Sequence, residues 1–465
     1  MADFSLEIIF GDSVSDVTRR RIAYAAQTYA ATWGVSWRPG SAAVRLCYGT
    51  PATNDRDLAL TATYLPVAER ARGSEGPRWE EGFPHFHPGT DWLGELFEWV
   101  GGEWEHASDA TDSIGRIPFS GTLPGRFGLD AEVPWALLAM RALNAAIASA
   151  RNGEWPSEPR NSTSMIVATH DLDYLPLTRL GNLFRGLKNV AIVQIMHNQP
   201  RLAVSIAMRC LRGLFGRSPL DRFDEVVDRE RTLGAESASY VIAAHHHRRD
   251  GNYDALDPRV IAMLQRWSAA GMEIGIHGSY ESILGSGSLP DEYARMRGAG
   301  FPVLGGRQHW IRFRGTKAFD ALVAAGALYD TSVGFYDRAG FRTGASFAYV
   351  PYDFSKEAPY PLLEFPLAIM DGTLAADFGE DAAAARAVAA RLVSRTLEGP
   401  GGASIVWHNT GFGGAQLPAH IGELYWWILQ ETGSRFVSGR TALRTFWPRF
   451  AEAGLLPPKT FESGS

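Results

Sequence analysis

Cysteine is scarce in this chain: Cys47 and Cys210 are the only two in 465 residues, and no C-x-x-C spacing occurs. Two such residues cannot staple a disulfide framework, so a reducing compartment is expected. An excess of basic charge is also missing, since 45 Lys and Arg stand against 51 Asp and Glu for a net charge of −6. That excludes the whole-chain positive field that holds nucleic acid. Long hydrophobic runs are lacking as well. The longest uncharged stretch, Gly399 to Gly422, is broken by Gly, Asn, Gln, His and Pro and does not read as a spanning helix. The opening residues, MADFSLEIIF, carry an acid and no basic segment ahead of an apolar one, so no secretory signal is expected. These absences together predict a soluble, cytoplasmic protein without a nucleic-acid partner. What is present is a folded, loop-rich composition of 45% hydrophobic and 21% charged residues with 49 Gly and 26 Pro. Disorder, collagen and coiled coil are thereby excluded. The length allows two domains, or one large barrel with an appendage.

From Asp3 to about Trp155, strand-like runs (Phe4 to Phe10, Ala43 to Tyr48) mix with helical patterns (Val17 to Trp33, Pro134 to Ala150). Titratable clusters are sparse there, His85, His87 and His106 apart. The polar string RNGEWPSEPRNSTS at Arg151 to Ser164 reads as a linker. An N-terminal α+β accessory domain over 1–155 and a catalytic barrel over 165–450 are expected on either side of it. Beyond the linker, short apolar runs alternate with helical segments. Strands are predicted at Met165 to Thr169, Ala238 to Ala244, Met272 to His277, Pro302 to Gly305, Leu362 to Ala368 and Ala403 to Trp407. Helices are predicted at Pro258 to Ala270, Lys317 to Ala325, Asp381 to Leu397 and Ala419 to Thr432. Such β/α repetition predicts a parallel barrel or a doubly wound sheet.

Reactive residues of a parallel barrel lie at the C-terminal ends of its strands, where the loops converge on one mouth. Here the predicted ends carry Thr169-His170-Asp171-Leu172-Asp173, His277-Gly278-Ser279-Tyr280-Glu281, Arg307-Gln308-His309-Trp310 and His408-Asn409. Asp and His are the ligands of a catalytic divalent ion, most simply Zn2+, which lowers the pKa of its water from 15.7 to ~7. A second carboxylate nearby then accepts the proton. The plain alternative is that the two aspartates cap the next helix and the histidines make ordinary loop hydrogen bonds.

At these residues the sequence resembles the polysaccharide deacetylases, the carbohydrate esterase family of chitin and peptidoglycan deacetylases, over about Met165 to Thr432. The family pattern is T-F-D-D at the first strand, H-(S/T)-x-x-H at another, R-x-x-(F/Y) next and L-x-H near the end. The resemblance implies a distorted (β/α) barrel and metal-dependent removal of an N-acetyl group from a sugar. By order, Asp171 takes the place of the base and Asp173 that of a metal ligand beside His277, with the exchanged assignment left open. One residue too many separates the two acids, and Glu281 stands where the second family histidine would be. His309 is the candidate replacement ligand and Glu281 the runner-up. His408 matches the late histidine, the general acid. Arg307 would hold the catalytic carboxylate, with Asp330 behind it. Trp310, Tyr280 and Trp407 are candidate sugar-stacking surfaces. Arg342, in a Gly-rich loop, is a candidate substrate contact.

Two segments stand outside the motifs. The triplet His245-His246-His247 reads as a solvated loop. Between Leu175 and Leu220 seven basic residues and no acid are interleaved with apolar ones, a pattern compatible with peripheral contact to an anionic membrane or with a solvated insertion. The expected partner is an N-acetylated sugar or glycan in biosynthesis of a glycan, polysaccharide or glycolipid. The competing readings are hydrolysis of a non-sugar C–N bond in a small metabolite, and a non-catalytic carbohydrate-binding protein on a degenerate deacetylase fold.

Overall fold

The computed structural model describes residues 4–53, 57–64, 77–80, 82–87, 91–160, 164–175, 187–188, 204, 207–208, 211, 222–245, 247–412, 417–433 and 435–461. Most of the basic segment 175–220, and with it the expected membrane contact, lies outside the described residues. So does His246.

The N-terminal part begins with β1 (Ser5–Phe10), α1 (Asp16–Trp33), β2 (Ser36–Trp37), β3 (Val44–Tyr48) and β4 (Asp57–Leu60). The strands form one sheet in the order β2-β1-β3-β4, every pairing parallel, with α1 as the crossover. Ser15 caps α1 through Thr18 N–H, and Gly34, in the left-handed region at φ 71°, ends it. A short hairpin, β5 (Arg78–Glu80) and β6 (Phe83–His85), precedes α2 (Trp92–Gly101), α3 (Glu103–His106), α4 (Leu123–Phe127) and α5 (Trp135–Ala150).

The large sheet contains β7 (Ile166–Leu172), β8 (Ala238–Val241), β9 (Glu273–Gly278), β10 (Gly305–Gln308), β11 (Tyr329–Asp330), β14 (Leu363–Glu364), β15 (Leu367–Met370), β16 (Ser404–Val406) and β17 (Phe436–Val437). A ribbon of β12 (Tyr352–Asp353) and β13 (Ala358–Pro359) lies between β11 and β14 in sequence. All pairings in the large sheet are parallel, in the order β14-β11-β10-β9-β8-β7-β16-β15 with β17 alongside β7. The two ends of that order are consecutive in the chain. Leu363 and Glu364 pair with β11, and Leu367 to Met370 pair with β16, so the single run Leu363 to Met370 closes the ring. The result is the expected distorted (β/α) barrel. Its helices include α6 (Phe223–Thr232), α7 (Pro258–Ala269), α8 (Leu289–Gly298), α9 (Gly315–Ala324), α10 (Asp371–Phe378), α11 (Ala382–Leu397), α12 (Ala419–Glu431) and α13 (Gly439–Glu452).

The expected strands recur with shifts. The run predicted at Pro302 to Gly305 lies three residues later, and β11 had no counterpart, because a two-residue strand leaves no apolar run to read. The barrel interior is tight. A Cβ on Gly306 would stand 1.8 Å from the Ile276 carbonyl oxygen, and one on Gly305 2.6 Å from the Tyr329 ring. One apolar core runs from Leu6 and Trp33 through Trp135 and Val167 to Tyr329, Phe446 and Leu456, so the N-terminal helices, the barrel floor and α13 are packed together. Among the described residues no helix is long and apolar enough to cross a membrane.

Candidate active site

Side chains alternate across a strand, so Thr169 and Asp171 of β7 face the barrel interior with Asp173 following in the same phase, while His170 points out. His170 is accordingly buried outside the ring, bonded to the Trp407 carbonyl and Glu230. The spacing Asp-Leu-Asp therefore turns both carboxylates toward one mouth. His277 enters from β9, Arg307 from β10, His309 from the turn after it, and His408 from the end of β16. Asp171, Asp173, His277, His309 and His408 line a single cavity of about 240 Å3.

Within it, one carboxylate oxygen of Asp173 and one ring nitrogen each of His277 and His309 lie within 4.8 Å of one another. Asp173 Oδ1 is 3.2 Å from His277 Nε2 and 3.6 Å from His309 Nε2. The far nitrogen of His277 is anchored, Nδ1 lying 3.0 Å from the Arg307 carbonyl, while His309 Nδ1 faces Asp250 Oδ1 at 3.5 Å without a hydrogen bond. Asp250 is itself held by the backbone N–H groups of His247 and Tyr280. Two rings turning their Nε2 atoms toward one carboxylate, each with a carbonyl or carboxylate at its far nitrogen, are what a divalent-ion site of zinc type requires. Asp173 Oδ1, buried and without a hydrogen-bond partner, is the atom such an ion would satisfy. The donor set thus fits the expected metal.

The other two groups flank this triad. Asp171 Oδ1 accepts from Arg307 at 2.9 Å, and Arg307 also donates to Thr169 Oγ1 and the Thr331 carbonyl. Burial would raise the Asp171 carboxyl, but the charges of His277, Arg307 and His408 hold it below the usual carboxylate range. Asp173 is likewise held low, with His309 and His408 overcoming burial. His408 Nδ1 lies 2.6 Å from Asp371 Oδ1, and the His408 backbone N–H donates to Asp371 Oδ2 at 2.9 Å. Burial would lower the His408 imidazole, yet the charges of Asp371, Asp173 and Asp171 push it up to about 10.

The remaining candidates separate. Trp310 is 45% exposed and lines the cavity, at the head of two successive non-glycine residues in the left-handed region, Trp310 (φ 62°) and Ile311 (φ 51°). Strain of this kind persists where surrounding structure over-determines it, commonly at ligand sites. Tyr280, expected to stack on substrate, is instead buried between the His247 ring at 4.4 Å and the Arg312 guanidinium at 3.8 Å. Arg342 is also turned away from the mouth: it is buried, pairs with both oxygens of Glu105 at 2.8 and 2.6 Å, and donates to the Gly334 carbonyl. Trp407 is fully buried and donates to the Ile421 carbonyl. Glu281, the runner-up ligand, folds over Gly285 and is not in the cluster. Asp330 bonds to Ser332 rather than to Arg307, and burial pushes it up to about 6.

Three contributors escaped the sequence reading. Asp371 opens α10 directly after β15, a strand-end acid whose signal was its position two to three residues past the predicted run. Asp250 sits in the loop of His247. Arg116 comes from the N-terminal part, pairs with Asp112 at 2.8 Å, donates to the Trp310 carbonyl at 3.2 Å, and covers the Tyr336 ring. It had no readable signal, since its partners at the mouth lie some 200 residues away.

No protein-family profile matches the chain, and no curated protein matches it in sequence. Several solved structures match in fold. One is described as a polysaccharide deacetylase, from Mycobacterium smegmatis: 17% identical, covering 67% of this chain and 97% of its own, TM-score 0.40. Another is a family 4 carbohydrate esterase from Streptomyces lividans in complex with acetate, with 12% identity, 59% and 91% coverage and TM-score 0.28. A third is an allantoinase, with 15% identity, 64% and 95% coverage and TM-score 0.37.

Proposed function

We propose that the protein is a metal-dependent hydrolase that removes an N-acetyl group from a sugar or glycan. The observation that carries the reading is the arrangement of an Asp173–His277–His309 triad with an ionised carboxylate, Asp171, on one side and a charged His408–Asp371 pair on the other. A divalent ion held by Asp173, His277 and His309 would supply Lewis acidity at the carbonyl and acidify a water. Arg307 fixes Asp171 so that one of its oxygens accepts the proton of the attacking water. Asp173, flanked by two histidines, is better suited to ligation than to that task. His408, protonated and oriented by Asp371, donates to the departing nitrogen, which leaves poorly unless protonated. The indole face of Trp310 offers a surface for a sugar ring.

Elemental analysis should find about one zinc-type ion per chain, lost in His277→Ala and His309→Ala and kept in Glu281→Ala. Asp171→Asn should keep the metal while acetate release from N-acetyl sugars falls roughly 10²–10⁴-fold. A protein that binds no metal would point to the carbohydrate-binding reading. Stoichiometric metal without acetate release from any N-acetyl sugar would point to a non-sugar C–N substrate.

A further inference from the structure

A second cavity, of about 340 Å3, lies where α2 and α3 meet the loop into α9 and the segment 343–354. One side of its wall is apolar, with Val100, Ile117, Phe313, Phe319, Tyr349 and Phe354, and the rest is polar. An apolar cavity of about 150 Å3 is known to stay dry and take up benzene, and twice that space suits an alkyl chain of roughly eight to ten carbons.

The charges on its lining have one sign left over. Glu105, the acid of the lining, is taken up by Arg342 through both oxygens. Arg314 and Lys317 are exposed on the lining and make no ion pair or hydrogen bond among the described residues. A half-open pocket with an apolar side and two exposed cations unpaired among the described residues complements a molecule with an apolar body and an anionic end. The cavity also adjoins the catalytic mouth along the chain: Arg116 and Ile311 line the mouth, while Ile117 and Phe313 line the cavity.

We propose that this cavity is a binding site for an anionic amphiphile, its alkyl part against Ile117, Phe313 and Phe319 and its phosphate or carboxylate at Arg314 and Lys317. The site goes beyond the hydrolase reading and does not depend on it.

Calorimetric titration of the full chain with hexyl, octyl and decyl phosphate, decanoate and decanol, each below its micelle concentration, tests the assignment. Affinity should rise roughly fourfold per added methylene until the chamber is full. Decanol should bind more weakly than either anion, and the stronger of decyl phosphate and decanoate identifies the head group. The double variant Arg314→Glu, Lys317→Glu alters only exposed side chains and should weaken decyl phosphate by about tenfold or more. Ile117→Trp should abolish binding by filling the chamber; should it not fold, the charge-reversed variant still decides. Affinity independent of chain length, decanol binding as tightly as decyl phosphate, or a charge-reversed variant that binds like the parent protein would each overturn the proposal. Acetate release measured in parallel keeps this result separate from that of the hydrolase reading.

Discussion

His408 owes its proton to its neighbours rather than to its own chemistry. A buried imidazole is normally driven toward the neutral form, and here three carboxylates, Asp371 first, reverse that tendency and raise it to about 10. An acid of this kind works as long as it is protonated, so its loss on raising the pH forms the basic limb of the rate profile. Replacing Asp371 by Asn removes the nearest negative charge and lowers the His408 pKa. The basic limb of kcat/KM in Asp371→Asn should therefore move to lower pH, while metal content stays unchanged. An unmoved limb would mean that another group carries the leaving-group proton. At this scale much of the site could be read in advance. Asp171, Asp173, His277, Arg307, His309 and His408 each end a strand-like run, and the strand-end rule brings such residues to one mouth. Asp371 and Asp250 were missed because their meaning lies in what they touch, the far nitrogens of two histidines, and neither partner is near in sequence. Tyr280 and Arg342 have internal partners that the sequence does not show. An aromatic ring or a guanidinium is as ready to pack or pair internally as to meet a ligand.

At the scale of the elements, the barrel depends on strand positions where no side chain can be accommodated. β10 starts Gly305-Gly306 because the Tyr329 ring and the Ile276 carbonyl occupy the space a Cβ would take. Gly306→Ala should cost about 3 kcal/mol or more, since the clash is with backbone and cannot be relieved by a rotamer change. Gly298, on α8, has open space where a Cβ would stand, with nothing within 4 Å, and no left-handed backbone. Its Ala variant should be neutral or gain up to about 1 kcal/mol. Thermal melting of the two variants side by side provides the check, and equal melting temperatures would refute the account of β10. The longer strands and helices were legible from periodicity. β11 was not, because a two-residue pairing is set by neighbouring strands rather than by local pattern, and the predicted run Leu362 to Ala368 divides into β14 and β15.

Over the whole molecule, the apolar core crosses from the N-terminal helices into the barrel floor without a break. Arg21 reinforces the junction within the N-terminal part and beyond it, donating to Glu103, Tyr64 and Glu357. Calorimetry should accordingly record one cooperative unfolding transition. Two resolved transitions would instead mean that the N-terminal part folds as an independent unit. The amino-acid sequence by itself determined the class of the fold, the strand ends and the chemistry available at them, because hydrophobic periodicity and residue type are local properties. Tertiary structure alone decided how the ring closes through Leu363 to Met370, that Asp371 meets His408, that Arg116 reaches the mouth from the N-terminal part, and that a second, cation-rimmed cavity lies beside it. Each of these depends on residues far apart in the chain meeting in a buried, low-dielectric space, where contact and desolvation outweigh local preference.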